Sequence, residues 1–362
     1  MFGVYVLVPY CRTRCPYCDF VSEAVSGAPP DAYTAALCRE IAAFAGPDTA
    51  GSVFFGGGTP SLLPLSALER VLDALSRRFT LSPKAEITVE ANPDDITPGL
   101  AAGWKTLGVN RISLGVQSLD DRALRWLGRR HDAAAARGAV EAVAAVFDNW
   151  NMDLIFGAKP ADAWPETLAE TVRMRPPHVA AYGLTYEEGT PFALRRGEAV
   201  EEDQSLDMYR AAEEALSGYD HYEISNFALP GRESRHNLVY WHNGEYTGFG
   251  TGAYSFVDRV RARNHPDTAA YLRAPGEKSE ALALSEHEIR VETLIQHMRL
   301  RGGISGAHYA ERFGGSLREH FGPALDALEK RGLVEWSGEC LRPTRLGFHL
   351  NNEIGLALVG DD

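Results

Sequence analysis

A loop with three cysteines, directly after a short apolar segment at the N-terminus, constrains the fold more than any other feature of this chain. Residues 3–8 (Gly-Val-Tyr-Val-Leu-Val) are typical of a buried strand, and Cys11, Cys15 and Cys18 follow at once. Because three and then two residues separate the thiols, a short loop can turn all three sulfurs towards one point. Three thiolates suit a four-iron cluster in which one iron lacks a protein ligand, so that a small molecule can bind and react there.

Two other interpretations of these thiols stay open at this point. Zinc also binds thiolates, but a structural zinc site takes four ligands, usually as two cysteine pairs or as cysteines with histidines at short spacing. No fourth Cys or His follows Cys18 at such a spacing. The third interpretation is that the thiols are unrelated. The spacing therefore favours the iron–sulfur cluster over a zinc site or unrelated thiols.

Composition limits the size of the core and the kind of partner. The chain has 362 residues, of which 45% are hydrophobic, and this predicts one large domain with a smaller one. A formal net charge of −13 argues against nucleic acid or an anionic membrane as a general partner. No apolar run reaches the roughly 18 residues of a membrane-spanning helix. We expect a soluble, cytoplasmic protein whose membrane contact is at most peripheral, and packing roles for the two remaining cysteines, Cys38 and Cys340.

Short apolar segments alternate with longer amphipathic stretches as far as about residue 185, which is typical of a parallel sheet with helical crossovers. The predicted strands are residues 3–8, 52–55, 86–90, 111–114, 151–155 and 179–184. Six such strand–helix units predict an α/β barrel. Folds of this kind place their chemistry at the carboxyl ends of the strands, where the cysteines fall.

Changes in composition divide the chain into three parts. Residues 1–190 form the predicted barrel. Residues 191–284 lose the strand–helix rhythm and are rich in Gly, Asn and aromatic residues, so we expect a loop-rich extension of the barrel. Residues 285–362 begin with helical stretches and end in a hairpin-like segment, which predicts a mostly α, winged-helix-like domain. The acidic charge argues against DNA as the partner of that domain.

Polar residues and glycines follow the ends of the other predicted strands. Gly57 and Gly58 lack side chains, so the backbone can approach a ligand closely, and Thr59 adds a hydroxyl. No Lys-Ser/Thr pair follows, which argues against a phosphate-binding loop. A carboxylate at the end of an apolar strand is costly to bury without a cation or hydroxyls nearby. The further candidates, each of which taken singly can also be structural, are Glu90, Gln117, Asp153 and the guanidinium of Arg129.

Short motifs around these residues resemble one family. Y-V-L-V-P-Y-C at 5–11, P-Y-C-D-F at 16–20 and F-G-G-G-T-P at 55–60 are similar to the HemN and HemW branch of the radical S-adenosylmethionine (SAM) superfamily. The resemblance implies a partial (β/α)6 barrel, a [4Fe–4S] cluster, and SAM bound to the open iron through its amino and carboxylate groups. It also implies an electron donor such as flavodoxin or ferredoxin, because reduction cleaves SAM to methionine and a 5′-deoxyadenosyl radical.

The resemblance assigns contacts with SAM residue by residue. The glycine-rich segment is expected to hold the amino group of the methionine moiety, and Glu90 to accept from the ribose or the ammonium. Tyr17 either stacks on the adenine or only packs. The implied cofactor contacts are Tyr5, Tyr17, Gly57, Gly58, Thr59, Glu90, Gln117, Arg129 and Asp153, the implied cluster ligands are Cys11, Cys15 and Cys18, and no catalytic residue is assigned.

One departure separates the branches of the family. Porphyrinogen-oxidising members carry a further cysteine two residues beyond the third thiol, where this chain has Phe20. The motifs C-P-Y-C-D-F, N-M-D-L-I-F-G, Y-E-I-S-N-F-A and S-R-H-N-L-V-Y-W are similar to the HemW group, whose members are described as heme chaperones. The resemblance thus implies binding of heme, or of another tetrapyrrole or small molecule, and transfer to an acceptor protein. The alternative is a HemN-like methyltransferase or cyclopropanase; coproporphyrinogen III dehydrogenase activity is not expected.

His236, within the motif H-N-L-V-Y-W, is the candidate for heme contact, because imidazole is the commonest protein ligand of heme iron. The alternative is a histidine that only ties loop backbones together. Leu7 and Tyr254 stand where members of the family usually have histidine. The missing imidazoles indicate either an altered set of heme ligands or a different substrate.

Overall fold

The computed structural model describes residues 1–359, so residues 360–362 of the third predicted part lie outside the described residues. Six parallel strands, which lie side by side in chain order, form the centre of a large sheet. They are β1 (Gly3–Val8), β2 (Thr49–Gly57), β3 (Thr80–Ala91), β4 (Arg111–Gln117), β5 (Trp150–Phe156) and β6 (His178–Gly183). Each predicted strand is present, the last shifted by one residue, and the predicted α/β partial barrel is confirmed.

Helices on the outer face connect these strands. They are α1 (Asp31–Ala43), α2 (Leu65–Arg78), α3 (Pro98–Thr106), α4 (Asp121–Trp126), α5 (Ala133–Ala144) and α6 (Ala163–Met174). In α2, Leu68, Val71 and Leu75 recur at helical spacing and are buried against the sheet. Side chains of the strands alternate in the same way, since Val4 and Val6 are fully buried in this core. The opposite face of β1 therefore points into the barrel.

Residues 191–284 are not loop-rich, so that part of the sequence prediction is wrong. They hold a 3₁₀ segment (Pro191–Glu198), α7 (Glu202–Ala215), α8 (Arg235–Trp241), α9 (Thr268–Arg273) and the strands β7 (Asp220–Glu223), β8 (Asn226–Ala228), β9 (Tyr246–Phe249), β10 (Tyr254–Val257), β11 (Val260–Asn264) and β12 (Lys278–Ala283). The glycines serve close packing between strands, because a side chain at Gly248 would collide with the backbone of Tyr254.

These later strands widen the sheet at both edges. In residues 1–359 the order is β12-β11-β10-β9-β1-β2-β3-β4-β5-β6-β8-β7. β9 runs parallel to β1, whereas β8 is antiparallel to β6. The added strands satisfy backbone groups at the two edges of the barrel, which is a role that composition alone does not reveal.

The C-terminal unit has a core of its own. It consists of α10 (Glu286–His297), α11 (Gly306–Phe313), α12 (Leu317–Lys330), α13 (Arg345–His349) and α14 (Asn351–Val359), with a small sheet of β13 (Ile304–Ser305), β14 (Val334–Ser337) and β15 (Cys340–Pro343). Ser285 and Ser316 form capping boxes at the starts of α10 and α12, which explains why these helices begin where they do. The hairpin of β14 and β15 follows the helices, as predicted.

Polar contacts fasten this unit to the barrel beside the end of α8. The Asn243 amide donates to Thr293 Oγ1 at 2.9 Å, and Arg312 donates to the carbonyl of Asn243 at 2.8 Å. The guanidinium of Arg299 lies 4.3 Å from the centre of the Trp241 ring. Among the described helices, none has the length and apolar content needed to cross a bilayer.

Candidate cofactor-binding site

A cavity of about 590 Å³ lies at the carboxyl ends of the parallel strands and reaches into the interior of the barrel. Its wall includes residues of the cysteine loop and of α8. The structure brings every candidate residue of the sequence to this one cavity: Tyr5, Cys11, Cys15, Tyr17, Cys18, Gly57, Gly58, Thr59, Glu90, Gln117, Arg129, Asp153 and His236. Their contacts with cofactors stay predictions.

The cysteine loop is fixed by backbone hydrogen bonds. Cys11 ends a two-residue strand (Tyr10–Cys11) that pairs with Glu23–Ala24. The N–H of Cys18 donates to the carbonyl of Cys15 at 3.1 Å, which closes a tight turn between the second and third thiols. These bonds leave all three sulfurs on the wall of the cavity.

Phe192, which the sequence did not single out, holds the loop from outside. Its N–H donates to the carbonyl of Pro16 at 3.0 Å, and its fully buried ring meets the edge of Tyr17 at 6.0 Å and of Trp126 at 5.0 Å between ring centres. Tyr17 thus packs against protein and lines the cavity at once. No motif around Phe192 marks it, since its role depends on long-range packing.

The three thiols suit an iron–sulfur cluster as its protein ligands. All five cysteines of the chain are free of disulfides. In residues 1–359 no three metal-binding side chains converge on a single ion, and a cluster does not require this, because each thiolate binds its own iron. Burial raises the pKa of Cys11 and of Cys18. A thiolate at either position therefore needs neighbouring positive charge, which iron supplies.

Arg129 lies between the cysteine loop and the strand ends. One terminal nitrogen donates to Cys15 Sγ at 3.4 Å, and the other donates to Asn92 Oδ1 at 2.5 Å and to the carbonyl of Gly115 at 2.9 Å. Its Nε has no hydrogen-bond partner in the described part of the chain. Asn92 was not singled out from the sequence, although it lies two residues beyond the predicted strand end in V-E-A-N-P.

The glycine-rich segment packs closely against β1. A side chain at Gly58 would collide with the backbone of Val8 and Tyr10, and one at Gly57, where φ is +101°, would collide with Leu7. The N–H of Gly57 donates to Glu90 Oε2 at 3.2 Å. The glycines are therefore required by the protein itself, while their backbone forms part of the cavity wall.

Two carboxyl groups in the cavity have raised pKa values. Burial, with Asp153 nearby, raises the pKa of Glu90 to about 8. Burial also raises the pKa of Asp153 to about 6, against the lowering effect of hydrogen bonds from Asn151 and Ser113. When both carboxyl groups are buried and ionised, their negative charges repel one another. A bound cation would relieve that repulsion.

Tyr5 and Gln117 also line the cavity. The ring of Tyr5 stacks on Phe54 at 5.9 Å and on His236 at 6.1 Å between centres. Gln117 has a φ of +67° at an irregularity in the pairing of β4 with β5. Residues other than glycine rarely adopt this backbone conformation. Such backbone strain is typical of ligand sites.

His236 lies in the first turn of α8 rather than in a loop. It is 1% exposed, and both of its ring nitrogens have partners, Ser52 Oγ at 2.9 Å and Tyr240 Oη at 2.8 Å. Burial lowers its pKa to about 3, which favours the neutral ring. A neutral imidazole can ligate iron, but here it must first release one of these hydrogen bonds.

Leu7 and Tyr254, the two departures from the resemblance, differ in their surroundings. Leu7 is buried against Gly57. Tyr254 is 44% exposed, and the Arg263 guanidinium lies 4.9 Å from its ring centre. Leu7 carries no group that binds iron.

Two further residues of the cavity were missed by sequence reasoning. Arg111 is 1% exposed, and its Nε has no hydrogen-bond partner among the described residues, with Glu86 4.0 Å away. His178 is also buried and bonds to Asn151 Oδ1 at 2.5 Å and to Tyr222 Oη at 2.9 Å. Both begin a strand, and only the closed geometry of the barrel points them inwards.

Two family descriptions match the chain. The radical SAM superfamily matches residues 5–171, and the HemN C-terminal domain matches residues 284–350. The heme chaperone HemW of Lactococcus lactis is 33% identical over 99% of this chain and 98% of its own length. The heme chaperone HemW of Mycobacterium tuberculosis is 36% identical, over 99% of this chain and 95% of its own.

A solved structure has the same fold along the whole chain. It is coproporphyrinogen III oxidase (HemN) from Escherichia coli, described as a radical SAM enzyme, with a TM-score of 0.86. The sequence identity is 21%, and the match covers 99% of this chain and 89% of the other. At that identity the likeness concerns the fold.

Proposed function

Because this chain belongs to the HemW family of radical SAM proteins, we propose that it binds a [4Fe–4S] cluster, SAM and heme and passes heme to acceptor proteins. Membership of the superfamily implies the cluster and SAM. The observation that carries the proposal is one cavity lined by three free thiols, two carboxyl groups and an arginine whose Nε has no hydrogen-bond partner in residues 1–359. The heme step rests on the relatives, which match over their full length.

In this proposal Cys11, Cys15 and Cys18 hold the cluster. When bound and reduced, the cluster supplies the electron that cleaves SAM. The guanidinium of Arg129 is the proposed partner of the SAM carboxylate, which is supported by an Nε without a protein partner in residues 1–359. Glu90 and Asp153 face the same space, where they can accept from the ammonium or from the ribose hydroxyls.

The electron donor and the heme acceptor are also proposals. A flavodoxin or ferredoxin type of donor fits the need for one electron at a low potential. We also propose a cytoplasmic location, because free thiols of this kind must stay reduced to take up iron.

The decisive test for the cluster uses one substitution in the loop. Cys15→Ala is expected to abolish the brown chromophore and bound iron after anaerobic reconstitution, whereas Cys38→Ala, outside the cavity, should keep both. An unchanged iron content in Cys15→Ala would refute the assignment of the cluster.

The test for heme is a titration of the reconstituted protein followed by the heme absorption band. Wild type is expected to bind heme stoichiometrically, His236→Ala to lose the spectrum of an imidazole ligand, and the exposed control His287→Ala to behave as wild type. No stoichiometric binding to wild type would sink the chaperone proposal. An unchanged spectrum in His236→Ala would leave the chaperone proposal standing and remove His236 from it.

The volume of the cavity bears on whether heme and SAM can bind at the same time. About 590 Å³ corresponds to a site for one small molecule. Heme and SAM are therefore expected to compete for this cavity. Adding SAM in excess to the heme titration should weaken heme binding if both use this cavity.

A second candidate is supported by the departures at Leu7 and Tyr254. Without those imidazoles, a HemN-like methyltransferase or cyclopropanase that acts on another substrate becomes the alternative function. Anaerobic turnover with dithionite separates the two: S-adenosylhomocysteine formed beside 5′-deoxyadenosine would favour methyl transfer. Porphyrinogen dehydrogenation is disfavoured, because the exposed ring of Phe20 cannot replace a thiol.

A further inference from the structure

A chain of hydrogen bonds joins two of the three cysteines through residues that lie outside the loop. Thr59 Oγ1 donates to Cys11 Sγ at 3.3 Å, and the Asn92 amide nitrogen donates to Thr59 Oγ1 at 3.1 Å. Arg129 donates to Asn92 Oδ1 at 2.5 Å and, through its other terminal nitrogen, to Cys15 Sγ at 3.4 Å. The path therefore runs from Cys11 to Cys15 by way of three side chains.

The donors in this path all point towards sulfur. The guanidinium can only donate, so Asn92 must present its oxygen to Arg129 and its nitrogen to Thr59. Thr59 then uses its one proton on Cys11. Bonds arranged in a single direction polarise one another, and the charged end at Arg129 strengthens the whole series.

Two hydrogen bonds hold the backbone of Asn92 in place. Its own N–H donates to Ser61 Oγ at 3.3 Å, and its carbonyl accepts from the N–H of Asp95 at 3.1 Å. Thr59 is 3% exposed, so water cannot easily take over its hydrogen bond to the thiol. The fixed backbone limits the positions open to the Asn92 side chain, so this side chain can hold both neighbouring donors at the sulfurs without a large loss of conformational entropy.

Hydrogen bonds to the sulfur ligands influence the reduction potential of an iron–sulfur cluster. Reduction adds one negative charge, and part of it falls on the sulfurs, so donors aimed at them stabilise the reduced form. Cys11 receives a neutral donor and Cys15 a charged one, and both donors are held by Asn92.

We propose that Asn92 is a positioning residue that raises the reduction potential of the cluster by holding Thr59 against Cys11 and Arg129 against Cys15. This inference rests on the proposed function, since it requires that the thiols hold a cluster. Asn92 touches neither thiol and acts only through its two neighbours. It also links the cluster with SAM, because Arg129 is the proposed partner of the SAM carboxylate.

The test is a redox titration of the reconstituted cluster with dithionite, followed by electron paramagnetic resonance and carried out without SAM. Asn92→Ala removes the hydrogen bonds of Asn92 with Thr59 and with Arg129. Thr59→Val removes only the Thr59 hydroxyl at nearly constant volume. Both are expected to shift the midpoint potential to a more negative value than wild type, and Asn92→Ala more than Thr59→Val. Thr59→Ser, which keeps the hydroxyl, is expected to restore the wild-type potential.

Asn237→Ala is the matched control, because Asn237 lines the same cavity and has no side-chain hydrogen bond to a thiol in the described residues. If Asn92→Ala loses iron, the potential is read from Thr59→Val, which leaves Asn92 and Arg129 in place. Iron-loaded variants with the potential of wild type would overturn this inference while the cluster assignment stands. Wild type without iron would overturn the proposed function as well.

Discussion

The cavity of the barrel and the core of the C-terminal unit are built from opposite kinds of side chain. The cavity gathers carboxyl groups with raised pKa values, three thiols, and a buried arginine whose Nε lacks a partner in the described part of the chain. The C-terminal core gathers aliphatic and aromatic side chains such as Leu294, Leu325 and Leu328, all at most 1% exposed, below helices with complete capping boxes.

This difference indicates that the C-terminal core mainly stabilises the fold, whereas the cavity is suited to binding. Burying ionisable groups without full pairing costs stability, whereas apolar burial and capped helices provide it. A cavity of this composition persists because the helices around the sheet and the second core stabilise the fold. Substitutions in the two regions should therefore change stability in opposite directions.

The largest expected effect is in the C-terminal core. Leu325→Ala should lower the free energy of unfolding by about 2–5 kcal/mol, because it leaves a cavity in a fully packed site. Urea unfolding measures this loss, and Leu356→Ala, at a side chain that is 68% exposed, is the control with little expected change. The iron content after reconstitution should remain that of wild type; a loss of iron at native stability would contradict the separation of the two regions.

In the cavity, Glu90→Gln should raise stability and weaken SAM binding. The folded pKa of Glu90, about 8, lies above its unfolded value, so its contribution is present at acid pH and is lost as the pH rises through 8. The neutral variant avoids this loss, and its advantage over wild type should reach roughly 1–3 kcal/mol at pH 9 and vanish near pH 4. Thermal unfolding at several pH values in the absence of SAM gives the profile.

Glu69→Gln, at an exposed side chain, is the control substitution. A Glu90→Gln profile parallel to wild type would mean that Glu90 is ionised in the fold without penalty. That outcome would contradict the claim that ionisable groups in the cavity cost stability, in contrast to the side chains of the apolar core.

Where the two regions meet, the sign of the pH dependence reverses. Burial lowers the pKa of His297 to about 4, and His242 lies within hydrogen-bond distance at 3.3 Å. The stability that comes from the neutral ring is therefore lost as the pH falls from about 6.5 through 4. His297→Gln should reduce the loss between pH 7 and pH 5 by about 1–2 kcal/mol, measured by denaturant unfolding. If wild type and His297→Gln lost the same free energy of unfolding between pH 7 and pH 5, the acid sensitivity would belong to other groups.

The smallest expected effect is at a helix start. Ser316 accepts from the N–H of Glu319 and begins α12, so Ser316→Ala should cost about 1 kcal/mol. Ser316→Thr keeps the hydroxyl and should retain most of that stability. A cost in cluster content instead of stability would contradict the assignment of this region to stability alone.

Much of the fold followed from local pattern. Apolar segments at regular spacing located β1 to β6, and the cysteine spacing together with strand-end residues such as Glu90 and Asp153 located one cavity, because parallel strands bring their carboxyl ends together. The edge strands β7 to β12 were missed, since their short segments and glycines have the composition of turns.

Residues that act through distant contacts were also outside the reach of pattern. Phe192, Asn92 and Arg111 lie in ordinary sequence surroundings, and their importance follows from partners far away in the chain. His236 was expected in a loop, whereas α8 buries it with both nitrogens bonded.

The sequence by itself determined the three-thiol loop, the parallel core and the family, because spacing, apolar periodicity and motifs are properties of neighbouring residues. Only the tertiary structure decided the pKa values of the side chains in the cavity and the hydrogen bonds that they form. The raised pKa of Glu90, the bonds that occupy His236 and the path from Cys11 to Cys15 through Asn92 all depend on distances between segments far apart in the chain. Such distances are set when the sheet closes around its interior, and no local pattern contains them.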